Sequence, residues 1–311
     1  MFPYLAILKE AWEYTKKNTW LWAFGIFVSG LSILNAVEVR LPHIHRHSRA
    51  VIREATFWLF HHPTALNIIV VSVLVVSFAT LFCAGLSRAA IVWSAAQQSE
   101  EAKKEINFRL AVAQAMPYAA RIMGLQFLVT WVFVVLLLVF STPVYFLFWA
   151  HASWQALSLL FLGIVIFVPA AVVFGFLHLY GPIFIVLYDE RINSALALAW
   201  DLLRSQFKES VILSAFLIGL EVLVSAAVAF TLTLAGLPIA VLIGLLLGLG
   251  LKFVAAGILT AAILAALIYV IVLKAGVAVF QNITWVLAVL QMVKTKRLPE
   301  KAEAFASEPA S

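Results

Sequence analysis

The sequence predicts an all-α, polytopic integral membrane bundle. Two observations point there. The chain is 64% hydrophobic and 12% charged, about half the charge of an ordinary soluble domain, and its mean hydropathy is +1.05. Its apolar runs also exceed the roughly 20 residues that cross about 30 Å of hydrocarbon. Long unbroken Leu, Val, Ala and Phe stretches mean helices, because barrel strands are short and alternate in polarity. A soluble globular domain is excluded. The net charge of +6 is read as orientation and contact with anionic headgroups, not as nucleic-acid binding.

Taken in order, residues 4–18 predict an interfacial helix. Leu5, Leu8 and Trp12 share one side, and Lys9, Glu13, Lys16 and Lys17 lie largely on the other. Trp20 and Trp22 mark the headgroup level, and the first span is expected at 20–37. The mixed segment before it, with Glu10 and Glu13, does not read as a cleavable leader. A polar loop over 38–62 contains His43–His47 and precedes a second span at 64–92. The single cysteine, Cys83, falls inside that span and is expected to pack as a small hydrophobe.

A polar connection then leads to an amphipathic segment at 108–120 and a third span at 122–142, ending near Pro143. Span four, 156–188, would be about 50 Å long as a straight helix, and Tyr180-Gly181-Pro182 offers a break. A second amphipathic helix is expected at 192–208, followed by span five at 210–235. Gly236-Leu237-Pro238 predicts a turn, after which 239–251 is either a re-entrant helix or part of a long sixth span at 254–274. Residues 275–293 are read as interfacial and 294–311 as a polar, disordered tail. The whole of 1–293 is expected to form a single membrane domain.

Six crossings put both termini on one side with sixteen of the 21 Lys and Arg residues, leaving Arg40, Arg46, Arg49, Arg53 and Lys252 opposite. The positive-inside tendency then makes that side cytoplasmic, in a bacterial or archaeal inner membrane. A seventh crossing would place the basic tail outside.

The amphipathic start recurs. A shift of 188 superposes Leu8, Ala11, Trp12, Glu13 and Lys16 on Leu196, Ala199, Trp200, Asp201 and Arg204. A weaker middle copy sets Ala115 under Ala11 and Arg121 under Lys17, with Met116-Pro117 in place of the Trp-acidic pair. Arg88-Ala89-Ala90, Tyr180-Gly181-Pro182 and Lys274-Ala275-Gly276 end the even spans alike. The reading is a threefold parallel repeat of one interfacial helix plus two spans.

The residues Leu8, Ala11, Trp12, Asn18, Trp20 and Gly25, with Tyr188-Asp189-Glu190, Ala195, Leu196 and Trp200, resemble the opening and returning segments of a bacterial family. That family comprises the membrane domain of glycerophosphoryl diester phosphodiesterase and the YciC-like uncharacterised inner-membrane proteins. The resemblance covers nearly the whole chain and implies a membrane bundle. It implies no activity, because the chain has no room for the phosphodiesterase barrel that some relatives carry.

Glu221 stands out among candidate functional residues, about 16 Å into its expected span, where an ionised carboxylate is costly unless paired or hydrated. A proton or cation relay and a packing role are both open, with His178 the expected polar partner by depth. Arg88 and Lys274 are expected near the cytoplasmic border, as snorkelling anchors or, with Tyr180, as a headgroup-binding ring. His43, His45 and His47 could present imidazoles on one face of an extended strand and bind Zn²⁺ or Cu²⁺, within a loop reaching His62 that could also sense pH. Trp12, Trp20 and Trp200 are expected as interfacial anchors. No phosphate loop, HExxH, CxxC or GxSxG motif is present, so no cofactor and no enzymatic activity are expected. The expected partner is the lipid bilayer, with anionic headgroups. The function expected is transport-related, lipid-interacting or envelope assembly; a transporter or channel using Glu221 is the alternative.

Overall fold

The computed structural model describes residues 2–29, 57, 61–100 and 106–296. Every element of regular structure among them is helical. We label them α1 (Tyr4–Lys17), α2 (Thr19–Ser29), α3 (Pro63–Glu100), α4 (Phe108–Trp149), α5 (Ser153–Tyr188), α6 (Ile192–Ser205), α7 (Phe207–Gly248) and α8 (Lys252–Lys296). Five of these, α3, α4, α5, α7 and α8, are long and apolar enough to cross a membrane. The predicted first span begins in α2; its remainder lies outside the described residues, as do His43, His45 and His47 and the tail from 297.

The chain divides into two compact units, Met1–Thr80 with Lys208–Gln281 and Leu81–Phe207 with Asn282–Ser311. In the first unit, α1 ends where Asn18 caps it: its backbone N–H and its side-chain amide both donate to the Tyr14 carbonyl, at 3.0 and 3.1 Å. Lys16 and Lys17 occupy the last turn, the end that favours cations. α2 starts at once with a tight turn, and Trp22 Nε1 donates across the break to the Thr15 carbonyl at 3.2 Å. α2 then packs closely on α8. A Cβ at Gly25 would meet the carbonyl carbon of Ala275 at 2.8 Å and Val279 Cγ2 at 2.9 Å, so only glycine permits this approach. α7 and α8 form a hairpin turned at residues 249–251, with Gly250 at φ +80.

In the second unit, α4 and α5 form another hairpin, turned at residues 150–152, where His151 adopts φ 59. Gly181 of α5 lies against Leu125 of α4, and Gly85 of α3 against the Ala119 carbonyl, where a Cβ would stand at 3.1 Å. Phe176, Tyr180 and Trp285 pack ring to ring, with centroids 5.6–6.0 Å apart.

Three sequence-derived boundaries need correction. The turn expected at Gly236–Pro238 is absent, because α7 runs through Pro238 to Gly248. The break expected at Gly181-Pro182 is absent likewise: α5 continues through both Pro169 and Pro182. Proline removes one backbone donor and crowds the preceding turn, yet apolar helices tolerate it where neighbouring groups and local adjustment absorb the defect. Segment 275–293 is also no separate interfacial helix. It is the last part of α8, and Ala275, Val279, Ile283, Val286, Ala288, Val289 and Met292 are buried. With no charge between Lys274 and Lys294, it has no polar face to offer to headgroups.

Burial is inverted relative to a soluble protein. The most apolar windows of the five long helices are only 0–22% buried, and Val70–Val76, Leu137–Val139 and Leu242–Leu247 include many exposed large side chains. In the second unit the closely packed residues lie around 84–95, 111–129, 180–186 and 282–292. Apolar surface left outside on this scale fits a lipid solvent.

The amphipathic helices share one burial pattern. Ile7, Ala11, Tyr14 and Thr15 are buried on α1, and the residues 188 positions on, Ala195, Ala199, Leu202 and Leu203, are buried on α6. Ala111, Ala115 and Ala119, 104 positions after Ile7, Ala11 and Thr15, are buried at the start of α4. The following large residue points outward each time: Trp12 is 59% exposed, Met116 48% and Trp200 46%.

Candidate functional site at the polar residues within the long helices

Each long helix has an extended stretch without Asp, Glu, Lys, Arg or His, namely residues 63–87, 122–149, 153–177, 222–248 and 253–273. At 1.5 Å per residue these stretches are about 32–42 Å long, each enough to cover the hydrocarbon thickness. Each ends at a polar residue: Arg88, Arg121, His178, Glu221 or Lys274. α7 runs past the expected end of span five to Gly248, so residues 222–248 form a charge-free stretch that follows Glu221 within the same helix.

In the first unit, Lys274 Nζ donates to Glu221 Oε1 at 3.3 Å and to Ser225 Oγ at 3.1 Å. The lysine side chain is 22% exposed and the glutamate 46%. One charge neutralises the other, and the serine takes another lysine hydrogen. The partner of Glu221 is thus Lys274, and His178 is engaged elsewhere.

The second unit holds two further pairs. Arg121 Nη1 donates to Asp189 Oδ1 at 2.7 Å and to the Asp189 carbonyl at 3.3 Å. Asp189 ends α5 in the left-handed region, φ 53, a conformation that short polar side chains tolerate better than most. This pair ties α4 to the corner between α5 and α6. Neither residue was singled out as a site from sequence, although Arg121 closes a charge-free stretch in the same way as Arg88 and Lys274.

Arg88 and His178 form the third pair. Both are half-buried, and Arg88 Nη1 donates to His178 Nε2 at 2.9 Å and to the His178 carbonyl at 3.4 Å. A guanidinium only donates, so Nε2 is the accepting nitrogen and the ring proton sits on Nδ1. Ser87, Ala89 and Ala90 around Arg88 are buried, which fixes the rotation of α3 and aims the arginine at α5. Of the cations Arg88, Arg121 and Lys274, Arg88 alone meets no carboxylate among the described residues.

Tyr180 is fully buried against Phe176 and Trp285. Trp12 stands outward on α1 with its ring edge-on to Phe280 at 6.1 Å, Trp20 is half-buried against Phe24, and Trp200 is outward on α6. Outside the membrane-crossing helices, burial raises the Tyr14 phenol well above its usual range. Tyr4 is raised too, by burial first and by the Glu209 carboxylate second. An open groove between α4 and α5 is lined by apolar side chains including Phe140, Tyr145, Phe148 and Phe167, without a charged group. Its lining suits hydrocarbon better than an ion path.

Comparison with protein-family models, with curated proteins and with solved structures returns no match for this chain.

Proposed function

We propose that this is a non-enzymatic, lipid-interacting protein of a bacterial or archaeal cytoplasmic membrane, with six spans and both termini on the cytoplasmic side. In this reading it is built from three parallel copies of an amphipathic helix plus two spans, and it acts on headgroups at the inner surface. The resemblance of the two junction segments to the phosphodiesterase membrane-domain family is part of the same proposal. The supporting observation is the shared burial pattern of α1 and α6, which buries Ala11 and Ala199 and turns Trp12 and Trp200 outward beside Glu13 and Asp201. An outward Trp among charged neighbours suits the headgroup level, where one side of the ring is wet. The proton-relay alternative is served less well, because Glu221 is held by Lys274, which also donates to Ser225.

The test uses the full chain in nanodiscs containing either brominated phosphatidylglycerol or brominated phosphatidylcholine. Tryptophan quenching is expected to be stronger with the anionic lipid, and the difference is expected to vanish in a W12F/W200F variant. Equal quenching by both lipids in the unaltered protein refutes the reading.

A further inference from the structure

We infer that Arg88 and His178 form a binding site for the phosphate ester of an anionic ligand, seated where α3 meets α5. This rests on the lipid-interacting reading and names the group recognised.

A half-buried guanidinium at the edge of an apolar stretch needs an anion, because its charge is poorly solvated there. Arg121 finds Asp189 and Lys274 finds Glu221. Arg88 finds an imidazole nitrogen and a carbonyl oxygen, both on His178 and both neutral. These contacts use Nη1 alone, leaving Nε–H and both Nη2 hydrogens without a protein acceptor among the described residues.

The free edge has the fork geometry that two oxygens of a phosphate or carboxylate occupy together. His178 supplies the orientation. A snorkelling arginine would extend along its own helix toward water, whereas this one is drawn sideways to α5 and held there from its Nη1 end. In each helix a charge-free stretch, residues 63–87 and 153–177, immediately precedes the paired residue. In a bilayer, the anion found at the edge of the hydrocarbon is the headgroup phosphate. A soluble phosphate ester arriving from the aqueous side would present the same oxygens.

The full chain in neutral detergent, equilibrated with dioleoyl phosphatidylglycerol and examined by native mass spectrometry, tests the site. Loss of the charged fork in R88A is expected to weaken retention of the lipid by about tenfold or more, as hydrogen bonds to charged groups are worth about 1.5–3 kcal/mol. H178A is expected to weaken it by a smaller factor of about 3–10, because the arginine stays but loses its orientation. R121A, whose cation is already neutralised, is expected to bind as the unaltered protein does.

Should R88A fail to fold, R88K decides. It keeps the charge and loses the planar fork, so weakened binding is expected, and binding equal to the unaltered protein overturns the proposal. A folded R88A that retains the lipid undiminished overturns it too. A parallel titration with inorganic phosphate separates the sources: displacement of the lipid at millimolar phosphate points to a soluble ester, and no displacement points to the lipid headgroup. If W12F/W200F abolishes lipid preference while R88A does not, this site is refuted and the broader reading stands. If neither variant matters, both fall.

Discussion

Replacing Lys274 by methionine is the sharpest probe of the charged pairs, because it leaves Glu221 with a charge and no counter-charge. At 3.3 Å and an effective dielectric of about 20, the gross attraction is about 5 kcal/mol. Most of that is offset by desolvation of the two groups and by the exposure of the carboxylate, which is 46%. A coupling of about 1–2 kcal/mol remains, between the values of exposed pairs and of fully buried ones. K274M is expected to cost about 2–3 kcal/mol, since it also leaves a part-buried carboxylate unpaired in an apolar helix. E221Q should cost about 1 kcal/mol, because the amide oxygen still accepts from Lys274 and the lysine keeps Ser225. The double variant E221Q/K274M is then expected to be more stable than K274M alone. Equilibrium unfolding of the four proteins in mixed detergent micelles completes the cycle. Additive effects, within about 0.5 kcal/mol, would show that the two side chains do not act as a pair and would reopen an independent role for Glu221.

Three further outcomes follow from the packing. G25A should lose about 1–3 kcal/mol of stability in thermal unfolding, since its methyl would run into the Ala275 backbone, while G219A, with nothing within 4 Å, should be neutral or slightly stabilising. D189A should cost more than D189N, because Asn tolerates the left-handed φ of 53 and loses only the charge facing Arg121; the gap between them is expected to be about 1 kcal/mol by chemical unfolding. The buried Tyr14 phenol has its pKa raised on folding, so the native state holds its proton more tightly. Stability is therefore fully present below the unfolded phenol's pKa of about 10 and falls as pH rises above it. Y14F is expected to flatten that alkaline decline, and an unchanged slope would contradict the burial.

The fold class was legible because composition alone forces it: a chain with so few charges has to place its apolar surface in lipid or in a helical interior. The amphipathic helices were legible too, since Ala11, Trp12, Ala199 and Trp200 repeat in one register. Helix ends were less so. Gly236-Leu237-Pro238 reads as a turn by the rules of water, where an interrupted helix gains solvent hydrogen bonds; in an apolar setting the same interruption exposes backbone groups, and α7 continues to Gly248. That displacement also hid the partner of Glu221. A hairpin folded near 237 would set Glu221 opposite the beginning of α8, whereas one folded near 250 carries it past the middle, toward Lys274. Arg88 and His178 are 90 residues apart, and no local pattern joins them. Both were visible as polar residues closing apolar stretches, but their pairing depends on how α3 meets α5.

The bare hairpin of α4 and α5 bears on how the protein is made. From 122 to 188 there is no Asp, Glu, Lys or Arg, and the tip at 150–152 adds none. In the proposed arrangement, no Asp, Glu, Lys or Arg in this hairpin has to be carried across the bilayer during biosynthesis. Both helices can enter together, drawn by their own transfer free energy, with no need for an external driving force on the loop. The α7–α8 tip differs by one residue: Lys252 must cross, at a cost of about 2.5–3.5 kcal/mol if it stood alone in the core. The two hairpins should therefore respond differently when the membrane potential is collapsed during insertion, with the second slowed and the first indifferent.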